Sequence, residues 1–149
     1  SYVFGRGFEE MLHLQHAGVP VRVIPGLSSC ISVPALAGIP VTHRGVVHDF
    51  TVVSGHLPPR HPDSLVNWGA LAASRGTIVL MMAVQNAGAI AQALIDGGRD
   101  AGQPAAIVTD GSLASERVIH TSLGQLEKAT ETEKVRPPAI IVIGDVAGL

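Results

Sequence analysis

Residues 77–98 read TIVLMMAVQNAGAIAQALIDGG, and two hydrophobic periods meet inside them. Thr77 to Val84 is an unbroken apolar run, as expected of a strand buried on both faces. From Ala87 the pattern changes: Ala87, Ile90, Ala91, Leu94 and Ile95 follow i, i+3, i+4, i+7, i+8, the stripe of an amphipathic helix. Gly97-Gly98 supply the stop. A buried strand passing through a short turn into a helix is half of a βαβ unit, and it sets the fold class at α/β.

The same alternation extends in both directions. Upstream, Phe50 to Ser54 is β-branched-rich and predicts a strand, Leu65 to Ser74 a helix, and the proline-rich GHLPPRHPDS between them a loop. Downstream, AAIVTDG reads as a buried strand ending in a turn. RVIHTSL reads as an edge or antiparallel strand, Leu123 to Lys134 as a polar helix, and PAIIVIGDV as a last core strand. Before residue 45, a helix is expected after Gly7, with Phe8, Met11 and Leu12 as its apolar face and Gly18 as its stop. A short strand follows over Val21 to Ile24. A second short helix, capped by Ser28 or Ser29 and interrupted by Pro34, runs toward Ala37. The expected fold is α/β with a mostly parallel mixed sheet. Residues 1–46 are expected to close a first α/β domain, and 47–149 to form a nearly complete second one.

Composition narrows the function. The 149 residues are 46% hydrophobic and 15% charged, enough for a substantial core. A formal charge of −2 argues against a nucleic-acid partner. No apolar run is long enough for a membrane span, and the N-terminus has no signal-peptide pattern, so a cytoplasmic protein is expected. The single Cys30 excludes an intrachain disulfide. Eight of the ten cations are Arg, which reflects either genomic composition or a need for planar forks that grip carboxylates.

Three strand-end or strand-to-helix loops are small and backbone-rich: Gly26 to Ser29, Met82-Ala83 and Asp110-Gly111-Ser112. In open α/β sheets such loops line the ligand crevice, although tight turns with good caps have the same composition. Histidines 48, 56 and 61 lie near one another in sequence but match no metal-ligand spacing, so no metal is expected. His43 and His56 are polar loop residues, facing either a substrate or solvent. No Gly-x-Ser-x-Gly elbow surrounds Ser29. Gly5-Arg6-Gly7 lacks the third glycine and the acidic residue of a dinucleotide fingerprint.

Read in order, VFGRGFEE (3–10), VIPGLSS (23–29), ALAGIPVTHRG (35–45), VVSGHL (52–57), VLMMAV (79–84), IVTDGS (107–112), RVIHTSL (117–123) and PPAIIVIGDV (137–146) resemble the tetrapyrrole methylases. GIPVTHR and SGHL are most similar to the uroporphyrinogen-III C-methyltransferase branch. The resemblance implies a homodimer of two-domain subunits that bind S-adenosyl-L-methionine in the cleft between domains and release S-adenosyl-L-homocysteine. The implied reaction is C-methylation of uroporphyrinogen III at ring positions 2 and 7 to give precorrin-2, for sirohaem or cobalamin synthesis. Carried over by motif, Val3, Ser28, Ser29, Met82, Gly111 and Ala139 are the expected cofactor neighbours. Arg6 and Arg44, with His43 and His56 behind them, are the expected partners of substrate carboxylates. No catalytic base is assigned. The family's Gly-Pro-Gly-Asp-Pro and Gly-Gly-Asp segments belong before the position of Ser1. A carboxyl-terminal portion of a longer enzyme is therefore expected, binding cofactor weakly on its own. A later precorrin methyltransferase and an inactive dimerisation fragment stay open as alternatives.

Overall fold

The computed structural model describes residues 2–149. Five strands form one mixed sheet: β1 (Phe50–Ser54), β2 (Thr77–Met81), β3 (Pro104–Thr109), β4 (Arg117–Ser122) and β5 (Ala139–Ile143), in the order β1-β2-β5-β3-β4. The helices are α1 (Gly7–His16), α2 (Ser29–Leu36), α3 (Trp68–Ala73), α4 (Ala87–Asp96) and α5 (Leu126–Thr132). The 77–98 stretch folds as β2, a single 3₁₀ turn at Val84–Asn86, and α4.

The α/β class and the mixed sheet hold, but the expected parallel majority is corrected. Only β1–β2 is a parallel pair, while β2–β5, β5–β3 and β3–β4 are antiparallel. Strands β1, β2 and β3 do point the same way. The crossover through α4, however, leaves a gap one strand wide between β2 and β3, and β5 fills it from the opposite direction. The short connection from β3 turns β4 back antiparallel on the outer edge, which is the edge placement RVIHTSL suggests.

The sheet is covered unequally. Alternate residues Ile78 and Leu80, Ala105 and Ile107, and Ile141 and Ile143 face the layer made by α3, α4 and α5, meeting Ile90, Leu94, Leu123 and Leu126 there. Each large aliphatic chain buried in this way contributes about 1.5–3 kcal/mol. The other face, with Val79, Ala106, Val108 and Val142, is covered by Cys30 and Val33 of α2, by Ile39, and by Ala147 near the C-terminus. The α2 segment, assigned by sequence to the first unit, thus packs directly on the sheet formed by residues 50–143.

Two expectations for the first 28 residues come out differently. Residues 21–24 form no strand, and Val23 and Ile24 are exposed. Local β propensity is present, but no strand among the described residues lies alongside to pair with them. Helix α1 forms where expected, yet none of its residues is fully buried and Phe8 is exposed.

One polar hub ties the far end of the sheet together. Arg99, buried just after α4, donates to the carbonyls of Leu71 and Gly76 at 3.0 and 2.6 Å and to Gln103 Oε1 at 2.6 Å. Burial holds its pKa below the ordinary arginine value, and the nearby carboxylates Asp145 and Asp49 oppose that shift. Replacing it leaves two inward-facing carbonyls without donors. Arg99→Ala is expected to cost about 2–4 kcal/mol, read as a lowered urea midpoint. Arg99→Lys should recover only part of this, because an ammonium cannot reach three acceptors from one plane. An unchanged midpoint for Arg99→Ala would show the hub to be dispensable.

Candidate functional site

Strands β1, β2 and β3 end, and β5 begins, along one edge of the sheet. A cavity of about 490 Å³ opens there, between the sheet edge and α2. This is within the usual range for small-molecule sites, about 300–1,000 Å³. Its floor and walls are Val33, Met81, Val84, Val108, Ile140 and the Pro137-Pro138 pair. Its polar side chains are Ser29, His56 and Gln85. None of the described lining residues is Asp, Glu, Lys or Arg.

The local backbone explains this lining. Met82, Asp110 and Ser112 have positive φ values of 55°, 53° and 73°, so the chain turns sharply at the ends of β2 and β3 and presents main-chain groups. Gly111 sits in the second of these turns, directly against α2. A Cβ placed there would lie 2.6 Å from both methyl carbons of Val33. The Asp110 N–H donates to the Pro138 carbonyl at 3.1 Å, which fixes the β3 turn to the entry of β5. At the end of β1, the Gly55 N–H donates to the Met81 carbonyl at 2.8 Å. Gly55 has no room for a side chain, since a Cβ would meet Ala83 Cβ at 2.5 Å.

Five of the residues singled out in the sequence share this cavity: Ser29, Met82, Gly111 and Ala139 from the cofactor set, and His56 from the substrate set. Ser28 is next to it as the N-cap of α2. Its carbonyl accepts from the N–H groups of Ile31 and Ser32, and its hydroxyl lies 3.1 Å from Cys30 Sγ. The others lie apart. Val3 is exposed beside Phe4, which lines a shallow groove along β1. Arg6 is exposed and ion-paired with Glu9 at 2.9 Å. His43 bridges Val47 across a turn with exposed Arg44 near its tip. Sequence reading missed Gln85, Asn86 and the Pro137-Pro138 wall. The proline pair was detectable as the rigid entry to a strand, but nothing local marks the other two. No group of three or more His, Cys, Asp or Glu able to hold a metal occurs among the described residues. No helix among them is long and apolar enough to cross a membrane.

An apolar, backbone-lined cleft at the strand ends of a mixed sheet is where small-molecule sites lie in α/β proteins. The family model for the tetrapyrrole (corrin/porphyrin) methylases matches residues 1–127, and the chain belongs to that family. It is 40% identical over 149 residues to the uroporphyrinogen-III C-methyltransferase of Methanocaldococcus jannaschii, covering 99% of this chain and 61% of that protein. It is 41% identical over 148 residues to the S-adenosyl-L-methionine-dependent uroporphyrinogen III methyltransferase of Methanosarcina barkeri, covering 99% of this chain and 58% of that protein. The structure of uroporphyrin-III C-methyl transferase from Thermus thermophilus complexed with S-adenyl homocysteine superposes with a TM-score of 0.81 at 37% identity, over 97% of this chain and 59% of that one. The chain thus spans about 60% of the length of these relatives.

The Gly111–Val33 approach offers a direct test of how the cavity is held. Gly111→Ala is expected to destabilise the chain by about 1–3 kcal/mol through overpacking. Adding Val33→Ala should recover more than half of that, because it removes the two methyls in the way. Urea titration of the single and double variants reads the coupling. Strict additivity would mean that the two residues do not define the wall together.

Proposed function

We propose that the protein of which this chain is part methylates uroporphyrinogen III at ring positions 2 and 7, giving precorrin-2, with S-adenosyl-L-methionine as methyl donor. The observation that carries this reading is the convergence of Ser29, Met82, Gly111 and Ala139 on one cavity, in a chain about 40% identical to uroporphyrinogen-III methyltransferases. The cobalt precorrin-4 methyltransferase shares the fold with a TM-score of 0.84 but only 21% identity, so it lends no weight to a later methylation step.

The lining suits the proposed donor. Val33, Met81, Met82, Val108 and Ile140 offer apolar contact for an adenine ring and for the methylenes beside the sulfonium. The turns at Met82-Ala83 and Asp110-Gly111 supply backbone hydrogen-bonding groups without a fixed charge, and the absence of cationic lining avoids repulsion of a sulfonium. When bound, S-adenosyl-L-methionine would supply an electrophilic methyl to an electron-rich pyrrole carbon, with S-adenosyl-L-homocysteine as the leaving group in line and a proton then lost from the macrocycle. The protein residues then contribute alignment and exclusion of water. His56, on the cavity lining, meets a substrate carboxylate in this reading. Arg6, His43 and Arg44 serve the substrate's outer carboxylates or face solvent. A homodimer and a division near residue 46 belong to the same proposal.

Isothermal titration of the full-length gene product with S-adenosylhomocysteine should show binding. Met82→Ala should weaken it by about tenfold, the loss of one apolar contact, and leave the urea midpoint unchanged because Met82 is exposed. Mass spectrometry of the tetrapyrrole product should show two added methyl groups. No heat with S-adenosylhomocysteine would sink the proposal.

A further inference from the structure

We propose that Asn86 is a positioning residue. It holds the Gly55-His56 corner over the cavity and so sets where His56 meets the tetrapyrrole, an inference that rests on the functional reading above. Asn86 occupies the N-cap of α4, where an asparagine side chain ordinarily accepts from the first free N–H groups of the helix. Here it makes no capping bond. Its Nδ2 instead donates to the carbonyls of Gly55 at 2.7 Å and His56 at 3.0 Å, residues 31 and 30 positions away. Two carbonyl acceptors at one side-chain end require the amide nitrogen there, which fixes the orientation of the group.

The place of this clamp gives it consequence. Gly55 and His56 directly follow β1, and the Gly55 N–H still bonds the Met81 carbonyl before the proline-rich loop departs. Below them the backbone already touches Ala83 and Ile90, leaving no room for a Cβ on Gly55. Sterics therefore set how closely the corner can approach the β2–α4 turn, and Asn86 keeps it from lifting away. The His56 ring makes no hydrogen bond among the described residues and the residue is exposed at the cavity lining, so its backbone sets the arc its rotamers can reach there. A helix capped by other means would be as stable without reaching across to β1. The use of the capping side chain for this tether points to the site rather than to α4.

The test uses the full-length gene product and compares Asn86→Ala, Asn86→Gln and Asn86→Asp, each also in a His56→Ala background. Readouts are KM for uroporphyrinogen III, kcat, the Kd of S-adenosylhomocysteine, and the urea midpoint. Asn86→Ala should raise KM about tenfold, the size expected for two neutral hydrogen bonds, with the Kd changed less than twofold. Asn86→Gln should recover part of the loss by restoring the donor. Asn86→Asp, which sets acceptors against acceptors, should be at least as damaging as alanine. In the His56→Ala background the further effect of Asn86→Ala on KM should fall below twofold. A lowered urea midpoint with an unchanged KM would overturn the proposal by showing a structural tether only. A full tenfold effect persisting without the His56 ring would overturn it by showing that Asn86 acts elsewhere. If the unsubstituted protein neither binds S-adenosylhomocysteine nor transfers methyl groups, the functional reading fails and this inference falls with it. Binding and transfer with an unaltered Asn86→Ala variant would overturn the inference alone.

Discussion

β5 pairs antiparallel with β2 on one side and β3 on the other, and the arrangement of the cavity depends on that double pairing. Residues 140–143 have ladder partners on both flanks, so the strand is the hydrogen-bonded centre of the sheet as well as its most apolar segment. Because β5 runs against its neighbours, its first residues arrive at the edge where β1, β2 and β3 end. That is how Pro137, Pro138 and Ala139 come to face Met82 and Gly111. A parallel insertion would have carried the proline pair to the far end, more than a strand length from the turns it now touches.

The two ends of the sheet have different physical characters. At the far end, Arg99 and Gln103 satisfy carbonyl and carboxylate oxygens from α3, the start of β2 and the segment after β5. The three Arg99 bonds are buried or partly buried, and the Gln103–Asp145 bond closes the set at the surface at 3.1 Å. At the cavity end, three non-glycine residues hold positive φ angles, conformations that cost on the order of 1–3 kcal/mol each when the residue carries a side chain. The turns tolerate that cost because the sheet behind them is anchored elsewhere, which leaves the near edge free to present backbone groups in unusual directions.

How much of this was legible follows from the range of each signal. The β2–α4 stretch could be read because both its period change and its stop lie within 22 residues of one another. β5 could be identified as a core strand, since Ala139 to Ile143 carries no polar residue, but not placed. Burial on both faces says nothing about which strands lie alongside or in which direction, and the parallel majority was the wrong inference for that reason. Val21 to Ile24 shows the converse failure, a local β signal with no ladder to join among the described residues. At the site, Gly111 and Met82 were marked by their own turns. Asn86 was not, because its partners lie some 30 residues away and its local context suggests an ordinary helix cap.

The absence of charge in the cavity constrains what can occupy it. A carboxylate brought into an apolar wall of Val33, Val108 and Ile140 would lose its hydration without a cation to replace it. Burying the several carboxylates of a polyanionic substrate there is therefore disfavoured, whereas the single zwitterionic amino-acid end of the proposed cofactor can stay at the polar residues Ser29, His56 and Gln85. On the proposed reading the substrate presents one ring face to the opening while its carboxylates stay outward, where His56 stands beside the opening and the exposed guanidinium groups of Arg6 and Arg44 lie farther off. On that reading the apolar interior suits a cofactor held by backbone and van der Waals contact, and the wet opening suits the outward carboxylates of an acidic macrocycle. Of the four residues expected to meet substrate carboxylates, His56 alone also lines the cavity, which makes the position of its backbone the geometric link between the two.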